Sequence, residues 1–353
     1  MRKSTRLPDP LPTQSSGAGN EPAPQEDGDR SHAAPLPRLG TRLRRLFGNA
    51  DFWADWTALI ALAVLSVIFT ARSPVFLSEQ NIRGMLADSS LVIVLALGMT
   101  FVIAIGGIDL SIATTVTLAS VMMGVAYTAG WPLMMVVLVG LATGALVGSF
   151  NGLLVGWVKI PDFIVTLGSF SLTSGIALLV SQGIPVQISD QLLRTLSTGS
   201  IWLFRFNFLF AVILAIALHV LLFHMRFGTY VLATGGNLGA ARAMGISVGR
   251  TKFFTYVLCG SLAGVTAVML IAFIGAAQPA PSTQFLLSAI ASVVLGGVSL
   301  FGGRATIHGP VVGAIFLTVL YDGLTLLGFS AFYQPIVVGI VVIAAAVLMR
   351  RVR

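Results

Sequence analysis

Few residues in this chain could do chemistry, and the most conspicuous is an acid in apolar surroundings. The run FVIAIGGIDLSIATT sets Asp109 between two long apolar stretches. A bare carboxylate at membrane depth costs about 2.5–3.5 kcal/mol on insertion scales, so it must be compensated or put to work. Gly106 and Gly107 before it permit a helix break. Ser111 after it opens a new apolar run, and Asp109 reads as the N-cap of that run. Its carboxylate would meet orphan N–H groups and the positive end of the helix dipole. A direct part in gating or coupling is the alternative.

Other chemistry is sparse. His32, His219, His224 and His308 have no metal-ligand spacing. The segments FGGRATIHG and ATGGNLGAA are glycine-rich but lack the lysine of a phosphate loop. Neither a nucleophile elbow nor a zinc-binding helix motif occurs. Cys259, the single cysteine, reads as a small packed residue. No metal site, bound cofactor or enzymatic activity is expected of this chain.

The elements that must carry these residues are membrane helices. The chain has 353 residues, of which 56% are hydrophobic and 10% charged, against about 25% charged in a soluble domain. Thirty-eight glycines suit close helix packing and local unwinding. The net charge of +8 would suggest nucleic acid in a soluble protein. Here the basic residues flank apolar runs and set topology instead, so no nucleic-acid partner is expected.

Residues 1–50 are rich in Pro, Gly, Ser and acids and read as a disordered tail. Arg42, Arg44 and Arg45 at its end place the N-terminus in the cytoplasm. Residues 51–353 then read as an all-α, polytopic bundle of about ten spans. These lie near 56–71, 86–105, 111–129, 132–157, 163–181, 206–223, 253–274, 285–300, 307–327 and 332–349. An even count returns the C-terminus to the cytoplasm, in keeping with Arg350, Arg351 and Arg353. The segments near 106–111 and 285–303 are also compatible with re-entrant hairpins.

GGIDLSIA at 106–113 lines up with GGVSLFGG at 296–303. Each follows an apolar run, bends, and starts another. Gly106, Gly107, Asp109 and Ser111 in the first stretch, and Gly296, Gly297, Gly302 and Gly303 in the second, are candidate gating or helix-break residues. Paired breaks in the two halves of a membrane protein point to a transport pathway.

The cytoplasmic loop 226–252 is the most distinctive polar segment. Gly235-Gly236 make a turn, and Asn237 can cap a short helix from Leu238. Gly245 ends that helix. Its small side chains would let another protein approach closely, with Arg242 offered to a carboxylate.

Four stretches carry a resemblance: GGIDLS at 106–111, IPDFIVTLGSFSLTSGIAL at 160–178, GGNLGAARAMGI at 235–246, and AIASVVLGGVSLFGGRATIHGPVVGA at 289–314. Together, over about 76–349, the chain resembles the permease subunits of ribose-type importers in the ATP-binding cassette superfamily. The resemblance implies a monosaccharide importer of the bacterial inner membrane. It also implies an ATPase subunit that binds ATP and Mg, a periplasmic sugar-binding protein, a second permease chain and surrounding lipid. Asn237, Ala240, Ala241, Arg242 and Gly245 fall on the motif that docks the ATPase. Asn151, Thr166, Ser169, Ser171, Thr173 and Ser174 are candidate pathway groups, because amides and hydroxyls match sugar hydroxyls without burying charge. Two positions depart from the family pattern, Asp162 after Pro161 and Asp322 after Tyr321. The competing reading is an ion-coupled secondary sugar transporter, for which Asp109 and Asp322 would have to serve.

Overall fold

The structure is a computed structural model and describes residues 50–280, 283–330 and 332–352. The expected tail up to residue 49 lies outside the described residues. So do Arg353 and the side chains of Arg350 and Arg351.

Thirteen helices order the described chain. They are α1 (Ala50–Arg72), α2 (Glu79–Ala104), α3 (Ile112–Thr128), α4 (Leu133–Leu153), α5 (Asp162–Ser181), α6 (Gln191–Thr198) and α7 (Phe206–His224). After them come α8 (Arg226–Gly236), α9 (Leu238–Ala243), α10 (Val248–Ile274), α11 (Thr283–Leu295), α12 (His308–Leu326) and α13 (Gln334–Val352). A π-helical turn, Leu154–Val158, extends α4. Four two-residue strands modify the all-α expectation. Strand β1 (Val186–Gln187) pairs antiparallel with β4 (Ala276–Ala277), and β2 (Ser200–Ile201) pairs with β3 (Phe204–Arg205). The β1–β4 ladder ties together two loops far apart in sequence.

Six described helices are long and apolar enough to cross a membrane: Glu79–Ala104, Leu133–Val158, Asp162–Ser181, Phe206–His224, Val248–Ile274 and His308–Leu326. Three expected spans fall on shorter apolar helices: Ala58–Arg72 of α1, Ile112–Thr128 and Thr283–Leu295. Helix α11 stops at Leu295, short of the expected 300, because the following glycines cap it.

From Leu91 onward helix α2 is almost wholly apolar on all sides, the pattern of a helix with no face turned outward. Ile93, Leu95, Leu97, Met99 and Phe101 are fully buried. The helix is wrapped by α7, α10, α11 and α12. A second cluster joins Phe69 of α1 to Phe316 and Leu320 of α12.

The closest helix pair is α4 with α10. Gly140, Gly144, Gly148, Gly152 and Gly156 recur every four residues, and most of this column faces the backbone of α10. A Cβ at Gly152 would come within 2.7 Å of the Phe253 carbonyl, and one at Gly156 within 2.6 Å of that of Gly249. At Gly148 it would collide with the Tyr256 carbonyl. Such spacing lets two backbones meet in a bilayer, where there is no hydrophobic force between helices.

Gly148→Ala should therefore lower the thermal midpoint in detergent by several degrees, since overpacking costs about 1–3 kcal/mol. Gly168→Ala on α5, where nothing lies within 4 Å, should leave it unchanged. Fluorescence-detected gel filtration after heating reads both.

Candidate functional site: two helix breaks and a capped surface helix

The two breaks are built alike. At the end of α2, Gly106 N–H donates to Ile103 O and Gly107 N–H to Val102 O, both at 2.9 Å. At the end of α11, Gly297 N–H donates to Val294 O at 3.0 Å and Val298 N–H to Val293 O at 3.3 Å. Gly106 and Gly297 take φ of 80° and 78°. This is the Schellman cap, which calls for a left-handed residue just past the helix. The backbone pairs Gly106 with Gly297, one residue along from the register read in the sequence. Gly296 packs instead against Gly309 and Pro310 at the start of α12.

Asp109 is 2% exposed. Its Oδ1 accepts from Ser111 N–H at 2.9 Å and from the Ser111 hydroxyl at 2.6 Å. The first bond is the one an N-cap would accept, but regular helix begins only at Ile112. Asn151 on α4 donates to Ser111 Oγ at 2.9 Å, and Ser169 on α5 donates to Asn151 Oδ1. The chain of donors therefore runs from α5 through α4 to Asp109 without a reversal. Beside it, Thr173 and Thr114 hold their hydroxyls 2.7 Å apart. The buried Cys259 thiol also faces the Asp109 carboxylate.

The peptide of Ile108 is clamped on both sides. Its N–H donates to Asp162 Oδ2 at 2.6 Å, and its carbonyl accepts from the Tyr256 hydroxyl at 3.2 Å and Thr166 Oγ1 at 3.3 Å. Asp162, which departs from the family pattern, thus has a structural task. So does Asp322, which accepts from Asn81 Nδ2 at 2.8 Å.

Helix α9 forms where Asn237 was expected to start it. The Asn237 side chain accepts from Ala240 N–H at 2.9 Å. Gly245, φ 79°, closes it with the same cap as the two breaks. Ala240, Arg242 and Met244 are exposed, and Ala241 is buried inward. The rest of the expected loop is not a loop: α8 fills 226–236.

Gly235 and Gly236 end α8 against both breaks. Gly303 N–H donates to Ala104 O, the last residue of α2, at 2.9 Å. A Cβ at Gly302 would lie 2.9 Å from Gly106 N and from Gly235 O, and one at Gly303 would lie 2.5 Å from Gly236 Cα. The structure thus gathers Gly106, Gly302 and Gly303 at one point with the glycines that lead into α9.

The expected pathway residues divide. Asn151, Thr166, Ser169 and Thr173 are buried and bonded within the chain. Ser171 is exposed and Ser174 half-buried. Asp162, Tyr256, Thr114 and Gly235 were not read from sequence as site residues. The glycine column on α4 was also missed, although its four-residue spacing was visible.

The fold is that of a multi-pass membrane protein, with its helix breaks seated on the glycine end of α8. The family model described as the branched-chain amino acid transport system / permease component matches residues 81–346, and the chain belongs to this family. It is 35% identical over 320 residues to the ribose import permease protein RbsC of Escherichia coli K12, covering 86% of this chain and 96% of that one. Identity is 32% over 309 residues to the D-allose transport system permease protein AlsC of the same strain, covering 87% and 95%. It is 33% over 297 residues to the autoinducer 2 import system permease protein LsrC of Salmonella typhi, covering 84% and 86%. No solved structure matches the chain.

Asp109→Leu should reduce folded yield several-fold, because it strands two buried donors at a cost of about 1–3 kcal/mol. Asp109→Asn keeps an acceptor oxygen and should retain most of the yield. Normal yield for the Leu variant, with transport lost, would instead make Asp109 a gating residue.

Proposed function

We propose that this chain is the permease subunit of an ATP-driven importer that carries a monosaccharide, a ribose-like pentose or a hexose, across the bacterial inner membrane. The sugar is delivered by a periplasmic binding protein. The names of the relatives RbsC and AlsC support the substrate class. Two permease chains, identical or paired with a homologue, form the pathway between them. ATP and Mg belong to a separate ATPase subunit.

The observation that carries the coupling part is the seating of Gly235 and Gly236 on Gly302, Gly303 and Ala104. A force on α9 reaches the end of α2 and the turn that follows α11 through backbone contacts with no side chain between them to absorb it. The exposed face of α9 is small apart from Leu238 and Arg242, with Met244 just past its end, which suits close docking. Ten spans with both termini cytoplasmic remain the topology best suited to this reading, with α9 and the Lys159 turn on the ATPase side.

Within the pathway, Ser171 and Ser174 on α5 offer hydroxyls to the sugar. Asn151, Thr166, Ser169 and Thr173 hold the wall behind them. Loose contacts suffice, because the binding protein selects the solute. The β1–β4 ladder and α6 supply an outer surface for that protein.

The test is purification by a C-terminal tag after gentle solubilisation from native membranes, with mass spectrometry of co-purified subunits and uptake assays in proteoliposomes. A stoichiometric ATPase and ATP-dependent sugar uptake are expected. Uptake by the chain alone, driven by a proton or sodium gradient, would establish the secondary-transporter reading instead. Arg242→Glu should lower uptake by at least about tenfold while membrane levels of the chain stay unchanged on immunoblots. Undiminished uptake would remove α9 from the docking surface.

A further inference from the structure

The turn between α4 and α5, the helix α9 and the first turn of α10 border an open cavity of about 370 Å³. Lys159, Asp162, Arg242 and Lys252 line it, with Leu238 and Ile160 among its apolar groups. Three cations therefore face one carboxylate. Among the described residues none of these three cations is joined to a carboxylate by a salt bridge. Asp162 is already engaged, accepting the Ile108 N–H at 2.6 Å.

The backbone brings this charge together at some expense. The π-helical turn Leu154–Val158 delivers Lys159 in a left-handed conformation, φ 63°. A non-glycine residue held there is strained, and such strain tends to gather at working sites. Glycine would relieve it, but would withdraw an ammonium from the cavity. Three cations that converge on a single carboxylate leave an excess of positive charge, and they focus potential on an anion that enters between them.

We infer that this cavity is the receptor for an acidic side chain, a glutamate or aspartate of the ATPase subunit that docks on α9. The inference rests on the docking reading above. Leu238 and Arg242 belong both to the cavity lining and to the exposed face of α9, so a protein that covers that face also closes the cavity. Met244, 82% exposed, stands on the same short segment as an apolar knob beside the charged socket. Apolar anchors next to a desolvated charge pair are what a protein partner supplies at the centre of an interface. The incoming carboxylate lands beside the 159–162 turn, whose Asp162 holds the peptide of Ile108. Docking thereby reaches the first helix break by a second route, independent of the Gly235–Gly303 contact.

The experiment uses the assembled importer in native membranes, treated with a water-soluble carbodiimide. The reagent joins a lysine amine to a contacting carboxyl as an amide and takes up the water released. After purification, peptide mass spectrometry identifies the bond. In parallel, a benzophenone side chain at position 244 reports docking of α9 itself. An amide from Lys159 or Lys252 to an acidic residue of the ATPase is expected. Lys159→Gln combined with Lys252→Gln should lower retained ATPase about tenfold at moderate salt, with Lys252→Arg retaining it. Capture at 244 without a lysine amide, and with ATPase retained by the double variant, would overturn the receptor while leaving docking intact. Anionic lipid or phosphate lost from the double variant, with ATPase retained, would overturn it in favour of a headgroup or free-anion site. No ATPase at either position, nor in the wild-type preparation, would bring down the docking reading and this inference with it.

Discussion

Breaking a helix inside an apolar bundle strands carbonyl and N–H groups where no water can satisfy them. Much of this molecule is arranged to meet that demand. Each break closes itself first, with a left-handed glycine and two reversed hydrogen bonds. What remains is shared. The second break, through Gly303 N–H, satisfies the last carbonyl of α2, and Asp109, Asp162 and Tyr256 satisfy the segment that leaves the first. Neither break is complete without the other part of the chain.

That sharing explains why the contact must be made of glycine. Hydrogen bonds between backbones of different segments require those backbones to approach within about 3 Å, and a Cβ at Gly235, Gly302 or Gly303 would fill the gap. The same logic extends down α4, whose glycines let α10 lie against it backbone to backbone. Packed elements shift as units rather than bending by degrees, as a coupled transporter requires.

Asp109 shows how a charge can be structural in such surroundings. Its carboxylate receives two bonds from Ser111 and stands at the end of a donor chain through Asn151 and Ser169. The chain joins α5 and α4 to the turn that opens α3, so one acid helps to fix the relative placement of three helices. An acid bound in this way is poorly suited to the ion exchange a secondary transporter would demand of it. Asp88, a further acid within α2, was not read from the sequence as a candidate for that task, and on this chain it is exposed.

Sequence alone determined the class of structure, because apolar length and low charge leave a chain no alternative to membrane helices. It also determined local features whose cause is local. Asn237 caps α9 and Gly245 ends it, since both acts involve neighbours within four residues. The two breaks were legible as glycine pairs, but their register was not, because which glycine takes the positive φ depends on where each helix ends. Tertiary structure decided what lies far apart in the chain. Nothing local to Gly235 announces that it seats on Gly302, and nothing local to Asp162 announces the Ile108 peptide across 54 residues. The long loop at 226–252 read as polar, yet most of it is helix, since α8 gains burial by packing on α7, α10 and the end of α2. Serines and threonines on α5 looked equivalent along the sequence. Burial against α3 and α4 separated Ser169 and Thr173, bonded inward, from Ser171, left facing out.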